Sequence, residues 1–390
     1  VRAVVHASIS ELDRPAWNAL DPTRYPFLRH EFLLALERAH CVGVGSGWQP
    51  AIVTLQDERG IAAAAPAYVK SHSYGEFVFD FSWAQAYSRF GLPYYPKLVV
   101  GIPFTPTNGP RLLLRPGEPA ATRTALLEAL QTSARAAGWS SIHALFPAAA
   151  DYAEFVAAGW LARRDVQFHW HNRGYRSFDD FLATFTAEKR KKAKRERRRV
   201  AEQHVTFQTL LGPDIPRELL DAAYLLHRQT FLRHGHEPYL SREFFRTIAR
   251  ELGEQFMLKV AWHERVPVAV AVFFWHQQAL FGRYWGAADE FHSLHFEACY
   301  HQGIEFCIER GIARFEPGTQ GEHKVSRGFE PAVTHSAHWI ADERFRHAIA
   351  DYVQREGTQV DAYAEAVRAH VPYRDGRRAA REALADEGES

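Results

Sequence analysis

Cysteine is scarce in this chain of 390 residues: Cys41, Cys299 and Cys307 are the only three. Three thiols with no C-x-x-C pair give neither a disulfide framework nor a cysteine-based metal site, and a reducing compartment fits them best. Long apolar runs are missing as well. No segment reaches the ~18–20 residues of a membrane-spanning helix, and the first residues lack the apolar core of a secretion signal. The expected location is therefore the cytoplasm. Charge of one sign is also absent overall, since the formal net charge is only +1. That excludes a protein basic over its whole surface.

The balance is local rather than uniform. Lys189–Arg199 holds nine basic residues and one acid, a local +8, which leaves −7 for the rest of the chain. On a helix these cations cover nearly every face. Such a helix either stays solvated or meets something anionic: the phosphates of tRNA, a nucleotide-linked precursor or an anionic membrane surface. The remaining composition, 46% hydrophobic and 24% charged, is that of an ordinary globular protein. Its length predicts two domains.

Two regions share a pattern. Trp48–Gln56 and Ile61–Lys70 read as strands around a polar turn, with Glu76–Asp80 as a third strand. Phe256–Trp262, Val266–His276 and Leu280–Trp285 repeat this later in the chain. In each half a helix follows, Ala121–Ala137 closed by Gly138 and His295–Arg310 closed by Gly311, with glycine suited to the left-handed position after a helix. A further strand comes next, Ser141–Phe146 or Ala313–Glu316. Meander, helix and strand sketch an α/β domain of the GNAT type. The expected fold is thus two tandem GNAT-like domains with mixed central sheets flanked by helices. They are placed at 1–172 and 173–345, the second including a basic helix at 187–203. Residues 346–390 form a helical tail whose charged end, Asp375–Ser390, frays.

Several segments have the residue types for chemistry. Glu316–Pro331 follows a central strand, where ligands gather in α/β sheets. It offers Glu316, Glu322 and His323 as bases, and Lys324 and Arg327 as cations for developing negative charge. Gln320 is a further polar contact. The plain alternative is a surface loop with Glu322 in the first turn of a helix. Lys70–Asp80 carries Lys70, His72, Tyr74, Glu76 and Asp80 among aromatic rings; a solvent-facing hairpin is equally compatible. Lys97, in Tyr94–Leu98, sits beside rings and prolines that build either a groove wall or a packed loop. The pairs His169/His171, His234/His236 and His292/His295 suggest a metal only weakly, because spacing alone is a poor signal and no H-E-x-x-H or cysteine-rich pattern accompanies them; no metal is predicted. Acyl-CoA-dependent GNAT enzymes usually bind pyrophosphate on a glycine-rich basic loop. The matching place, Gly286–Leu294, has one glycine, the acids Asp289 and Glu290, and no Lys or Arg.

Gly75–Asp80, Tyr94–Leu98, Pro103–Pro106, Ser140–Phe146, Gln167–Asn172 and Glu316–Pro331 together resemble a bacterial family of Fem-like N-acyltransferases, also described as peptidoglycan biosynthesis/recognition proteins. Gln320–Lys324 and Arg327–Phe329 are the most specific pieces, and the resemblance extends to about His370. It implies a tandem GNAT fold and transfer of an acyl or aminoacyl group to an amine acceptor such as a peptidoglycan precursor. The better-known Fem transferases take amino acids from aminoacyl-tRNA, have a basic helix in the second domain, and lack the CoA loop. Their catalytic residues do not map onto this sequence. No tightly bound cofactor is expected, and the donor is left between aminoacyl-tRNA and acyl-CoA. Glu316, Glu322, His323 and Lys324 are the candidate catalytic groups. Arg327, Gln320, Lys70, His72, Tyr74, Glu76, Lys97 and His143 are candidates for holding substrate. Two rival readings fit the same residues: a catalytically silent protein that recognises a peptidoglycan fragment, and an RNA- or membrane-surface-binding protein led by the basic helix.

Overall fold

The computed structural model describes residues 1–288, 291–319 and 321–374. The chain divides into two compact units. The first comprises Val1–Asp165, Tyr239–Glu251 and Thr334–Gln359; the second comprises Val166–Pro238, Leu252–Val333 and the chain from Val360 onward. Each is mixed α/β, with mixed sheets flanked by helices, as the sequence pattern requires.

The second unit follows the expected order closely. Thr206–Leu211, Phe256–His263, Val266–His276 and Ala279–Ala287 pair antiparallel in sequence order. The turn between the second and third strands has positive φ at both Glu264 and Arg265, the geometry whose twist matches two-residue hairpins. A helical segment ending in Gln302–Arg310 crosses over and is closed by Gly311 at φ 65°. It returns the chain to Arg314–Glu316, which lies parallel to Ala279–Ala287. Glu316 is therefore the last residue of an interior strand, bordered on its other side by the end of Leu161–His171. The basic run is a helix, Ala187–Glu202. Its inner face is Ala193, Glu196 and Val200, spaced three to four residues apart as one helical stripe demands.

The first unit departs from the simple meander. Ile52–Asp57 and Gly60–Ala65 form a hairpin in a four-stranded sheet with Arg2–His6 and Leu113–Leu114. A second sheet orders Trp48–Pro50, Ala67–Lys70, Lys97–Val100 and Ser141–Leu145, bordered by the Ser336–Ile340 end of Glu330–Ile340. Both long strands expected from the sequence are thus broken. The second breaks at Pro66, which has no N–H to give a ladder. Glu76–Asp80 is not a strand but a loop, because Glu76 and Asp80 turn inward onto Lys97. Ala121–Ala137 is the expected helix, closed by Gly138 at φ 67°. Phe345, Ile349 and Val353 of the helix Glu343–Arg368 pack with Trp83, Tyr87 and Tyr94 in this unit. Asp375–Ser390 lies outside the described residues. Among the described residues no helix is long and apolar enough to cross a membrane.

Candidate functional site

The Glu316–Pro331 segment leaves its strand at Glu316, turns at Gly318 and Gly321, and winds into a short 3-10 helix, Glu322–Arg327. Gly321 has φ +106°, and a Cβ there would lie 2.0 Å from the Cε1 of His323. Only glycine lets that ring fold back over the backbone. Gly328, in the left-handed region, closes the helix under Phe181, whose Cζ would be 2.7 Å from an added Cβ. The turn is thus clamped on the core of its own unit.

This clamping buries side chains that a surface loop would expose. Lys324 is 2% exposed. Its Nζ donates to the carbonyl of Gly318 at 2.6 Å and meets no carboxylate among the described residues. Burial without a counter-charge disfavours the ammonium, and the amine is pushed down to about 7, with a weak opposing pull from Cys299. His323 is exposed, with its Nε2 2.9 Å from the Oη of Tyr300. Partial burial, then the charges of Lys324 and Arg327, keep its imidazole below the usual range. Phe296, Tyr300 and His295 surround it with rings at centroid distances of 5.6, 5.7 and 6.2 Å. Arg327 is buried; it donates to the His323 carbonyl at 2.6 Å and to Glu196 at 2.8 Å, and stacks 3.4 Å over Phe296. Glu316 is buried and accepts from Arg314 at 2.9 Å, with His169 Nε2 3.9 Å away. Glu322 is exposed and accepts from Tyr363 Oη at 2.7 Å. Gln320, Asp289 and Glu290 lie outside the described residues.

In the first unit a second constellation gathers Lys70, Glu76, Lys97 and His143. Lys97 is wholly buried and donates to Ser73 at 2.9 Å, to Glu76 at 2.8 Å and, very closely, to Asp80. One cation cannot neutralise two buried carboxylates. Asp80, which also accepts from Tyr94 Oη at 2.6 Å, therefore stays ionised, and Glu76 is pushed up to about 7 by burial against the pull of Lys97. Lys70 lies 3.8 Å over the Trp48 ring and donates to the Tyr74 carbonyl at 3.2 Å; burial brings its amine down to about 7. His143 bonds Ser141 at 2.7 Å and, ring to ring through the Nδ1 atoms, His338 at 2.5 Å. Burial holds both imidazoles well below their usual range. His72 is half-buried and Tyr74 exposed at the edge of this cluster, their rings 5.4 Å apart. Glu76 Oε1 and Asp80 Oδ1 are buried without a hydrogen-bond partner.

Sequence reasoning did not single out Glu196, Tyr300, Tyr94 or His338. Glu196 carried a signal, as the one acid inside the basic run. His338 had none, because its partner is 195 residues away. Lysine use is also informative. The chain has eight lysines: Lys189, Lys191, Lys192 and Lys194 on the basic helix, and Lys70, Lys97, Lys259 and Lys324, which are all buried. On the helix, Lys191, Lys192 and Arg195 are exposed and make no ion pair or hydrogen bond among the described residues. No cluster of three or more His, Cys, Asp or Glu with metal-holding geometry occurs among the described residues.

The sequence profile of the FemAB-like family, described as peptidoglycan biosynthesis/recognition, matches residues 8–375. No curated protein matches the chain. Among solved structures, FemX superposes with a TM-score of 0.53 at 10% identity, covering 90% of this chain and all of FemX. A conserved protein of unknown function from Bacteroides thetaiotaomicron gives 0.50 at 12% identity, covering 86% of this chain and 99% of the other. L-PGS from Bacillus licheniformis gives 0.49 at 11% identity, covering 78% and 89%. For FemX and the Bacteroides thetaiotaomicron protein the likeness, at these identities, is one of fold.

Proposed function

The chain belongs to the FemAB-like family of peptidoglycan biosynthesis/recognition proteins, and from that premise we propose that it is a cytoplasmic N-acyl- or aminoacyltransferase whose reacting groups are Lys324 and His323. The observation that carries this reading is Lys324: a buried amine in the 3-10 turn that follows an interior strand, close to neutrality and without a carboxylate among the described residues. Such an amine is costly to bury and suited to exchanging a proton near neutral pH.

The acceptor's neutral amine attacks the carbonyl carbon of the donor. The C–N bond forms and the carbonyl π electrons move onto oxygen, where Lys324 donates a hydrogen bond to the oxyanion. The carbonyl re-forms, the bond to the leaving oxygen or sulfur breaks, and the leaving group takes up the proton that His323 has drawn from the acceptor nitrogen. His323 removes the proton from the acceptor nitrogen. In the tautomer whose Nε2–H donates to Tyr300, its Nδ1 presents the lone pair for this. Glu316, engaged by Arg314, and Arg327, engaged by Glu196 and Phe296, are better suited to supporting roles. The free cations Lys191, Lys192 and Arg195 support an anionic partner on the basic helix, either tRNA or an anionic membrane surface. A tRNA there makes the donor an aminoacyl-tRNA, and the acidic residues of Gly286–Leu294 argue in the same direction. The amine-bearing peptide of a peptidoglycan precursor is the acceptor class that the family description favours.

Transfer is tested by incubating the purified chain with labelled aminoacyl-tRNA or acyl-CoA and an amine-bearing muropeptide, then following the conjugate by mass spectrometry. Lys324→Ala and His323→Ala should each slow conjugation by at least tenfold. Full activity in both variants removes the assigned roles. Muropeptide binding with neither donor consumed favours recognition without chemistry.

A further inference from the structure

Glu196 is the only acid in the run Lys189–Arg199. A carboxylate among so many cations would ordinarily pair with a neighbour one turn along its own helix. Glu196 instead points inward and is buried. One oxygen accepts from Arg327 Nη2 at 2.8 Å, and the other lies 3.6 Å from Nε2 of the buried His301. The second arm of Arg327 holds the carbonyl of His323 at 2.6 Å, and its plane rests 3.4 Å over Phe296. The next residue, Arg197, pairs with Glu297 and Glu305 at 3.0 and 2.8 Å, on the same helical segment that carries Tyr300. The inner face of the basic helix therefore grips both sides of His323: its backbone through Arg327, and the segment bearing its ring partner through Arg197.

Arg327 has little freedom to hold this place alone. Its Nε is buried without a partner, and Glu196 makes the only carboxylate contact of its guanidinium among the described residues. A buried guanidinium stripped of its counter-charge is strongly disfavoured. We propose that Glu196 is a positioning residue for His323, acting through Arg327 to hold the Glu322–Arg327 turn and to neutralise the cation beside the imidazole. This deepens the reading of His323 as the proton acceptor and rests on it for its functional meaning. The geometric claim can be tested without substrate.

The groups facing the His323 ring are Tyr300, His295, Lys324 and Arg327. The test is the pH titration of the His323 ring resonance by NMR in the full chain, assigned by its loss in His323→Asn. Glu196→Gln keeps a hydrogen-bond acceptor for Arg327 but removes the counter-charge. The His323 midpoint should then fall, with proton affinity at least threefold lower than in the wild type. An unchanged or raised midpoint in folded Glu196→Gln overturns the proposal. Should that variant fail to fold, Arg327→Met removes the cation itself, and the midpoint must rise; a wild-type midpoint there overturns the proposal equally. A role confined to fold stability would lower the melting temperature and leave the midpoint in place. If the midpoint moves as expected while the wild type consumes neither donor, the transfer reading fails and the positioning role stands.

Discussion

Replacing Lys324 by methionine should make the protein more stable while removing its transfer activity. The folded chain holds this amine at about 7 instead of the usual 10.5. Below pH 7 both the folded and the unfolded chain bind the proton, so the folded chain bears the full cost of a buried ammonium. From pH 7 to 10.5 the folded chain has released the proton and the unfolded chain has not, so stability climbs with pH. Above 10.5 both are neutral and no penalty remains. At about 1.4 kcal/mol per pH unit, this gap sets a ceiling of about 5 kcal/mol on the cost at low pH. Methionine has a similar length and carries no charge, but it forfeits the hydrogen bond to Gly318, at about 1 kcal/mol. The variant should therefore gain roughly 2–4 kcal/mol at pH 6.5, a rise of about 5–10 °C in melting temperature for a unit of this size. By pH 10.5 the gain should vanish or reverse. Scanning calorimetry of both proteins from pH 6 to 10.5 reads the difference directly. A difference in melting temperature that does not change with pH would show that Lys324 titrates as an ordinary lysine, and the central argument for the site would go with it. A gain in stability on removing a reactive group is what a functional site under strain predicts.

Lys97→Met leaves Glu76 and Asp80 buried without their shared cation and should cost about 3–5 kcal/mol in urea unfolding; adding Glu76→Gln and Asp80→Asn should recover most of that loss. Gly321→Ala places a Cβ against the His323 ring at a positive φ, so stability should drop by about 1–2 kcal/mol and transfer by at least tenfold. The triple change Lys191→Gln, Lys192→Gln, Arg195→Gln should leave the melting temperature within about 1 °C, because these side chains contact nothing that stabilises the helix. Its affinity for a polyanion should weaken, with the slope of log K against log salt reduced by about 2–3; an unaltered slope would assign polyanion binding elsewhere.

The second unit was legible from sequence because its signals are local. Alternating strands, a two-residue hairpin turn, and a helix closed by Gly311 all fall within short windows. The first unit was less so. Glu76–Asp80 alternates like a strand, which would place Phe77 and Phe79 inward. The actual arrangement reverses this, with Phe79 exposed and both acids buried, because the ion pair with Lys97 outweighs the apolar rule. Lys97 is 21 residues from Glu76 and 17 from Asp80, beyond any window of periodicity. His143 and His338 meet across 195 residues, a pairing only the fold could reveal. In the Glu316–Pro331 segment, residue type and position were readable. The burial of Lys324 and the grip of Glu196 on Arg327 were not, since both depend on what packs over the turn.

The distribution of lysine has a practical consequence. With Lys70, Lys97 and Lys259 buried and Lys324 only 2% exposed, amine-directed reagents acting on the folded protein meet lysine side chains chiefly along a single helix. Biotinylation or coupling to a surface through lysine would tether the protein chiefly by its basic helix. The same attachment would cap the cations offered to an anionic partner. An immobilised binding assay would then report a false negative for polyanions, so tethering through an engineered cysteine away from the basic helix is the sounder choice.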